Sequence, residues 1–235
     1  MKKFQTTGLW YDAWRRLKND KVAMISLFIV ILFTILAIYG ELVYQYHNAL
    51  DLTPNYQKTN LEIAYTSPSI NYLMGTDGLG RDVMGRLVQG VRIAYKVGII
   101  TSLIAIPIGV FLGCLAGYYG GKIDDFIVWF YSTVASMPGL LFILAIAMIF
   151  KGQGLLGIYL GIGLTTWVGL CRLIRGEVLK HKELTYVQSA KVLGISSSKI
   201  MFKHILPNIF HIIIVTFTLR FPAAVGTEVI MSYLG

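Results

Sequence analysis

The segment TYVQSAKVLGISSSKIMFKHILPN, residues 185–208, is polar and basic, whereas long apolar runs lie before and after it. Thr185 is followed three residues later by Gln188, a capping-box pattern that marks the start of a helix. The pattern predicts a short helix over residues 186–193. Gly194 can then adopt the left-handed backbone conformation that ends such a helix.

A second short helix is predicted directly after this glycine. A serine among residues 196–198 can cap it, and the helix then extends to about residue 205. Pro207 is tolerated in the first turn of the apolar helix that follows, where its missing N–H is not needed. We therefore expect two short helices, joined by a tight turn, at a membrane surface.

The first of these helices has an apolar side formed by Val187, Ala190 and Leu193. A helix of this length is marginal in water by itself, so it needs a surface on which to pack. The layer of lipid headgroups is one such surface, since amphipathic helices rest there. A partner protein is the other.

Composition places the chain in a lipid bilayer. Hydrophobic residues make up 55% of the 235 residues and charged residues 14%, whereas soluble domains carry about 25% charge. The net charge of +9 would also suit a nucleic-acid partner, but such proteins gather Lys and Arg on a water-exposed face. Here the basic residues lie beside apolar runs, as in membrane proteins. We expect contact with membrane lipid and no nucleic-acid partner.

Five apolar runs are long enough to cross a bilayer, which takes about 20 mostly apolar residues per helix. The first has a core too long for a cleavable signal peptide and lacks a small-residue cleavage site, which favours a retained anchor. The fifth carries two charged residues. The predicted spans are residues 22–40, 97–121, 126–150, 152–171 and 209–234.

The distribution of basic residues predicts the orientation of these spans. The arm 1–21 holds six Lys and Arg with two acids, and residues 172–207 hold seven Lys and Arg. Five alternating spans place both segments on one side, which the positive-inside rule assigns to the cytoplasm. Residues 41–92 are then extracytoplasmic, and the core, 93–235, contains the cytoplasmic loop 185–207.

Glycine and proline follow patterns within these spans. Glycine recurs every four residues in the second predicted span, at Gly109, Gly113, Gly117 and Gly121. Such a spacing forms a flat ridge that lets helices approach closely in lipid. Proline, which bends helices, lies inside three predicted spans, at Pro107, Pro138 and Pro222.

The sequence carries no pattern typical of an active site. The stretch GYYGGKI, residues 117–123, lacks the spacing of a phosphate loop, and no Ser or Thr follows its Lys. The histidines show no zinc-binding spacing, and Cys114 and Cys171 suit small apolar fillers. We expect no catalytic residue, no metal site and no cofactor in this chain.

Arg220 and Glu228 are the charged residues of the fifth predicted span. Arg220 follows Pro207 by about 13 residues, which places it roughly 20 Å along a helix. A charge at that depth is costly unless it faces protein or water. Either Arg220 forms a structural ion pair, with Glu228 or with a partner subunit, or these side chains line a pathway and Arg220 meets substrate carboxylates or carbonyls.

Part of the opening segment resembles a known motif. QSA at residues 188–190, then Gly194, then LP at residues 206–207 is similar to the EAA loop of ABC importer membrane subunits. That motif reads E-A-A, three residues, G, nine residues and then I-x-L-P. Gln188 and Ser189 replace its first two residues and His204 replaces its Ile, while size and helical character are roughly kept.

A second block supports the same family. GTDGLGRDVMGRLVQGVRIA, residues 75–94, resembles the signature GTDxLGRDxxSRLxxGxR of the dipeptide, oligopeptide and nickel permeases, with Gly85 in the Ser position. GYYGGKIDD, MPGLLFILAI and SYLG are similar to later segments of that family, so the resemblance covers nearly the whole chain. The signature residues in this chain are Gly75, Thr76, Asp77, Gly80, Arg81, Asp82 and Arg86.

This resemblance implies an all-α integral membrane protein with the MetI-like transmembrane fold of ABC importers, similar to the C-type subunit of peptide permeases. It implies a multi-pass protein of the bacterial inner membrane, with a cytoplasmic N-terminus. The family usually has a sixth span after the final motif. Five are predicted here, and the sixth is expected to be missing from this sequence.

The resemblance also implies partners. These are a related B-type permease subunit, two ATPase subunits that carry ATP and Mg²⁺, and an extracytoplasmic solute-binding protein. The loop 185–207 would be the coupling helix that fits a groove on the ATPase. The residues implied to make this contact are Tyr186, Val187, Gln188, Ser189, Ala190, Leu193, Gly194, Leu206 and Pro207.

Three alternatives accompany this interpretation. Peptide is the expected substrate, but nickel or another small solute fits the same motifs, because selectivity can reside in the binding protein. A membrane scaffold that binds a cytoplasmic partner, without transport, is an alternative of another class. A channel that needs no ATP is the third. The two motif blocks favour the importer subunit.

Overall fold

The computed structural model describes residues 14–15, 17–150 and 152–234. Within them the regular structure is helical, and the nearest approach to a strand is an isolated antiparallel bridge between Thr76 and Asp82. The predicted all-α fold is therefore confirmed. The chain divides into two compact units, Met1–Tyr95 and Lys96–Gly235, which are described separately.

The first unit contains a long apolar helix, α1, Lys21–Ala49. Asp20 caps it, because its Oδ1 accepts the backbone N–H of Val22 at 2.9 Å and of Ala23 at 3.2 Å. The helix runs nine residues past the predicted span 22–40, since polar residues continue it. Most of the predicted arm 1–21 lies outside the described residues.

An irregular loop with one short 3₁₀ turn, Leu61–Ile63, leads from α1 to helix α2, Val83–Tyr119. Asp82 caps α2 by accepting the backbone N–H groups of Met84 and Gly85 at 3.2 and 3.1 Å. The helix starts 14 residues before the predicted span 97–121. Its first turns are polar, so hydropathy alone did not reveal them.

The second unit contains the rest of α2 and a series of shorter helices. In chain order these are α3, Gly121–Ser136; α4, Gly139–Ile149; α5, Leu156–Thr165; α6, Val168–Lys182; α7, Thr185–Val192; α8, Ser197–Lys199; the π-helical segment Ile200–Ile205; α9, Leu206–Asn208; and α10, Phe210–Leu234.

The predicted spans correspond to these helices with two differences. The predicted span 126–150 is a bent pair, because α3 and α4 meet at 92° on either side of Met137 and Pro138. The predicted span 152–171 starts at Leu156 and continues to Lys182 through α5 and α6. Within the described ranges, four helices are long and apolar enough to cross a membrane, or five if the bent pair is one span.

The predicted glycine ridge joins α2 to α6. A Cβ atom on Gly109 or Gly117 would stand 2.9 Å from the carbonyl oxygen of Trp167 or 2.8 Å from that of Arg175. The predicted fourth member, Gly121, does not belong to the ridge. It begins α3 with a φ of +53°, and a Cβ there would meet nothing within 4 Å.

The core of the second unit lies beside this ridge. Cys114 and Cys171 are both buried free thiols there, as the prediction of apolar fillers requires. A second close approach joins α4 and α5, where a Cβ on Gly161 would stand 2.8 Å from the carbonyl oxygen of Ile143. Small residues thus let both helix pairs pack backbone to backbone.

Candidate functional site

The segment that follows α6 begins with helix α7, whose N-cap is Leu184. Thr185 is already helical and forms no side-chain cap, so the predicted capping box is wrong. Gln188 instead donates its Nε2 hydrogen to the carbonyl oxygen of Lys182 at 3.0 Å. Two residues separate α6 from α7, so this side chain lies near the unpaired carbonyls at the end of α6.

Helix α7 ends at a glycine turn, as predicted. Gly194 has a φ of +73°. Its N–H donates to the carbonyl of Lys191 at 2.9 Å, and the N–H of Ile195 donates to that of Ala190 at 3.1 Å. These two bonds form a Schellman motif, which satisfies the last carbonyls of the helix. A Cβ on Gly194 would meet nothing within 4 Å, so the backbone angle, and not space, favours glycine.

The second half of the segment is helical without a serine cap. Ser196 stands at the N-cap position of α8, but its hydroxyl makes no capping bond. The helix widens into the π-helical segment Ile200–Ile205 and continues as α9. Pro207 lies in α9, so it precedes the long helix α10 and does not occupy its first turn.

Burial divides the residues expected to contact an ATPase. Val187 and Ala190 are buried in the core cluster that contains Val178, Ile200 and Ile205, so their side chains face the protein itself. Tyr186 and Leu206 are partly buried against this cluster. The exposed members are Gln188, Ser189, Leu193, Gly194 and Pro207.

Leu193 does not share the apolar side predicted for it. Each three-residue step along a helix falls about 60° short of a full turn, so Leu193 is rotated well away from Val187. Its side chain is 78% exposed, and that of Val192 beside it is 89% exposed. We call Val192 and Leu193 the apolar tip. The prediction missed Val192 because helical spacing put it on the polar side.

A contact between α7 and the end of α6 holds the helix that carries the apolar tip. The hydroxyl of Tyr186 lies 2.7 Å from Nδ1 of His181, and the two rings meet edge to face. Burial raises the pKa of the Tyr186 phenol, so the hydroxyl is neutral at pH 7. The tyrosine therefore links α7 to the end of α6 without adding charge.

An ion pair that the sequence analysis missed ties α3 to α6. The guanidinium of Arg175 donates two hydrogen bonds to the carboxylate of Asp124, at 2.5 and 2.6 Å. Such a two-bond pair is stronger and more directional than a single contact. Asp124 lies in the first turn of α3, where a negative charge also favours the helix dipole. The position of Asp124 in a first helical turn was the signal in the sequence that could have indicated this ion pair.

Arg220 lies on α10 and binds the break between α5 and α6. Its Nη1 donates to the carbonyl oxygen of Thr166, and its Nη2 to the Thr166 hydroxyl at 2.6 Å. Of the alternatives predicted for Arg220, the ion pair with Glu228 does not form between these two described residues. Glu228 is buried and accepts a hydrogen bond from Ser232 at 2.6 Å. Eight residues separate Arg220 from Glu228, or about 12 Å along a helix.

A small cavity adjoins this arginine. It has a volume of about 100 Å³ and is lined by Ile162, Thr166, Ala223, Ala224, Thr227 and Arg220 itself. The Nε atom of Arg220 is buried and has no hydrogen-bond partner. A buried donor without a partner is costly, which favours a ligand, water or a second chain beside it.

The signature block forms a compact loop around Asp77. Its Oδ1 accepts the backbone N–H groups of Leu79 and Arg81 at 2.9 and 3.0 Å. Its Oδ2 accepts from Nε of Arg81 at 2.9 Å and from Arg86. The backbone and side-chain bonds from Arg81, with those from Leu79 and Arg86, hold the pKa of the Asp77 carboxyl well below its usual range.

The other signature residues fit the same structural role. Gly75 and Gly80 have φ values of +72° and +71°, and a Cβ on Gly80 would overlap the backbone of Asn60. Thr76 is buried, and its Oγ1 accepts the N–H of Thr66 at 2.9 Å. The loop therefore stabilises the link between α1 and α2. Among the described residues no cluster of His, Cys, Asp or Glu could hold a metal ion.

Two family models match this chain. Residues 109–235 match the model described as binding-protein-dependent transport system inner membrane component. Residues 8–68 match the N-terminal TM domain of oligopeptide transport permease C. The first match covers the glycine ridge, the segment with the apolar tip and α10.

Curated proteins are similar to the chain over nearly its whole length. The oligopeptide transport system permease protein OppC of Bacillus subtilis (strain 168) is 35% identical over 231 residues, which cover 98% of this chain and 73% of that protein. The dipeptide transport system permease protein DppC of the same strain is 38% identical over 225 residues, which cover 95% of this chain and 67% of that protein.

A third relative carries another name. The glutathione transport system permease protein GsiD of Pectobacterium atrosepticum is 32% identical over 228 residues, which cover 96% of this chain and 72% of that protein. The two matched models and these identities agree with the motifs around Asp77 and Gly194. The chain therefore belongs to the family of binding-protein-dependent transport system inner membrane components, with the N-terminal domain of the oligopeptide permease C type.

Proposed function

We propose that this chain is the C-type membrane subunit of an ATP-driven importer of peptides. In this role it forms half of the translocation pathway, and a related B-type subunit forms the other half. The names of its relatives support peptides as the substrate class. The structural observation that carries the proposal is the exposed apolar tip on a helix that is anchored in the protein's own core.

The apolar tip is proposed to fit into a groove on an ATPase subunit. ATP and Mg²⁺ are bound by the ATPase subunits and not by this chain. Val192 and Leu193 together form a small exposed apolar patch rimmed by polar residues, a kind of surface that marks a contact with a protein or a membrane. Val187 and Ala190 hold α7 against the core, so force applied at the tip reaches α6 directly. The lysines nearby, Lys191 and Lys199, are exposed and suit an acidic rim.

We also propose an orientation of the chain in the membrane. Basic residues near the start of α1 and in the segment with the apolar tip favour a cytoplasmic location for both in the bacterial inner membrane. The loop between α1 and α2 then faces outward, where a solute-binding protein docks. The cavity beside Arg220 lies on the proposed pathway, and the unpartnered Nε supports contact with a substrate carboxylate or carbonyl.

Coupling is tested by charging the apolar tip. Leu193→Asp should reduce co-purification of the ATPase subunits and abolish substrate-stimulated hydrolysis, because a carboxylate would replace the apolar contact. Ile70→Asp is the control for co-purification of the ATPase subunits, since Ile70 is even more exposed but lies in the loop between α1 and α2. ATPase binding and uptake at the wild-type level in Leu193→Asp would show that the segment merely rests on lipid.

Orientation is tested by labelling with a membrane-impermeant thiol reagent. Cys114 and Cys171 are buried, so background labelling should be low. Lys58→Cys, in the loop after α1, should be labelled in intact cells. Ser197→Cys should be labelled once the membrane is opened, and the reverse pattern would invert the proposed topology.

The substrate is tested by uptake in cells with and without the complete transporter. Labelled dipeptides, longer peptides and nickel ions are supplied in parallel. Peptide uptake that depends on this chain is the expected result. Nickel uptake alone would reassign the substrate while leaving the role as an importer subunit intact.

A further inference from the structure

A cavity of about 410 Å³ lies in the first unit, between the end of α1, the following loop and the start of α2. Its lining includes neither Arg220 nor the residues of the apolar tip. Its polar lining includes three arginines and two tyrosines. These are Arg81, Arg86, Arg92, Tyr44 and Tyr56.

The charge of this cavity favours an anion. None of its lining residues is acidic. Asp77 pairs with Arg81 and Arg86 from outside the lining, and Glu41 lies 3.5 Å from Nε of Arg92. Arg81 and Arg86 thus share the single carboxylate of Asp77, so these two guanidinium groups carry more positive charge than their acidic partner.

The arrangement of Arg92 is built into the fold. This residue is only 8% exposed. Its guanidinium lies over the ring of Tyr44, 3.6 Å from the centroid, and its Nη1 donates to Gln89 at 2.8 Å. Gln89 in turn donates to the carbonyl oxygen of Gly40 at 3.1 Å. Side chains or backbone of both α1 and α2 therefore fix this arginine.

The floor of the cavity is open because of a glycine. Arg86, Gln89, Gly90 and Ile93 lie on one face of α2, at helical spacing. A Cβ on Gly90 would meet nothing within 4 Å, whereas a Cβ on Gly40 would stand 3.1 Å from Val88. Packing requires a small residue at Gly40 but not at Gly90, so the space above Gly90 is free for a ligand.

The position of the cavity along α1 matches the headgroup layer of a bilayer. Tyr44 follows Val22, near the start of the apolar run, by 22 residues, or roughly 33 Å along the helix axis. The hydrocarbon core is about 30 Å thick, and headgroups extend several ångströms beyond it. The apolar side chains of α1 are exposed on most sides, which suits lipid contact.

We propose that this cavity binds the phosphate group of a phospholipid, in the leaflet at the Ala49 end of α1. Arg86, whose side chain is 45% exposed, is the accessible donor, and the buried Arg92 supplies the fixed positive charge. The acyl chains would lie along the exposed face of α1. The bound lipid would hold α1 and the start of α2 together, whatever solute the transporter carries.

Lipid binding to the purified complex in detergent tests this proposal. The probes are phosphatidylglycerol and a diacylglycerol with the same acyl chains but no phosphate, and native mass spectrometry measures bound lipid. Gly90→Phe should block the cavity without a clash inside the chain. Arg86→Gln should weaken phosphatidylglycerol binding about fivefold, as expected for one basic side chain near a lipid headgroup. Lys58→Gln, which removes a positive charge outside the cavity, is the control.

The proposal predicts that phosphatidylglycerol raises the thermal midpoint of the wild type and of Lys58→Gln more than that of either cavity variant. Equal binding in Gly90→Phe and wild type would overturn it. Binding of diacylglycerol as tight as that of phosphatidylglycerol would also overturn it. Competition by inorganic phosphate or by a peptide, without effect of acyl chains, would assign the cavity to a soluble anion and contradict the lipid.

Discussion

Gly113 of α2 lies directly against the carbonyl oxygen of Cys171 on α6, at the centre of the glycine ridge. A Cβ on Gly113 would stand 2.7 Å from that oxygen, closer than real Cβ atoms approach. Gly109 and Gly117 repeat the contact one turn away on either side. The two backbones thus form the contact, and no side chain separates them.

Gly113→Val should therefore push α2 and α6 apart and destabilise the subunit by about 1–3 kcal/mol, the usual cost of overpacking. Thermal unfolding in detergent measures this loss. Gly169→Val, on α6, is the matched control, because a Cβ at Gly169 would meet nothing within 4 Å. Equal stability of the two variants would show that the helices tolerate separation.

Gly194→Val should misdirect α8 while the long helices still insert. A branched residue at a φ of +73° is strained by roughly 1–2 kcal/mol. We expect normal amounts of subunit in the membrane but weaker ATPase co-purification. Gly194→Asn is the control, since Asn adopts this conformation more readily, and it should retain most of the binding. A valine variant that binds like wild type would mean that the turn does not position the contact.

Ala190→Trp should damage the subunit itself, because Ala190 is buried within the protein's own core. Loss of monodisperse protein after solubilisation is the expected result. Leu193→Trp should leave the fold intact, since the apolar tip is exposed. If Ala190→Trp gave stable subunits that lacked only ATPase binding, Ala190 would contact the partner directly.

Arg220→Gln should reduce uptake while the complex still assembles. Thr166→Val removes the hydroxyl that accepts from Nη2 of Arg220 but keeps the carbonyl. The double variant should lose less stability than the sum of the single losses, with a coupling of about 1 kcal/mol. Thr218→Val is the control, because that hydroxyl bonds only within α10. Additive losses of stability in the double variant would contradict a direct interaction between Arg220 and Thr166.

Asp77→Asn tests the pH dependence of the signature loop. The native pKa of this carboxyl is lowered, so its stabilisation is present above its unfolded pKa, near 4, and is lost as pH falls below that value. The variant should melt below wild type at pH 7, and the difference should shrink as pH approaches 3. Asp51→Asn removes an exposed carboxylate from the same loop and should change little. A difference in melting temperature that stays constant from pH 7 to pH 3 would contradict stabilisation by the ionised carboxylate of Asp77.

Local signals in the sequence predicted much of this structure. Gly194 ends α7 as expected, because a left-handed C-cap depends on neighbouring residues alone. The ridge was predicted from its spacing, although Gly121 was wrongly included, since the end of α2 could not be placed within two residues. The capping box at Thr185 failed because the tight turn after α6 placed Leu184 at the cap.

Long-range contacts could not be predicted in the same way. The partner of Arg220 is Thr166, which lies 54 residues earlier, so hydropathy and spacing offered Glu228 as one candidate partner and did not indicate Thr166. Proline shows a related ambiguity. Pro138 separates two helices at 92°, whereas Pro107 and Pro222 stay inside continuous helices. The residue before Pro138 has an extended backbone, which is the conformation that a following proline favours. The sequence alone does not distinguish the three prolines.

The regular spacing of the ridge leaves the alignment of α2 on α6 undetermined. A slide of one helical turn would place Gly117 where Gly113 lies, and Gly113 where Gly109 lies, with similar close contacts. A periodic interface of this kind needs an additional, unrepeated interaction to select one register. The paired hydrogen bonds between Arg175 and Asp124 meet that need, because α3 follows α2 directly and carries the only carboxylate bonded to Arg175 among the described residues.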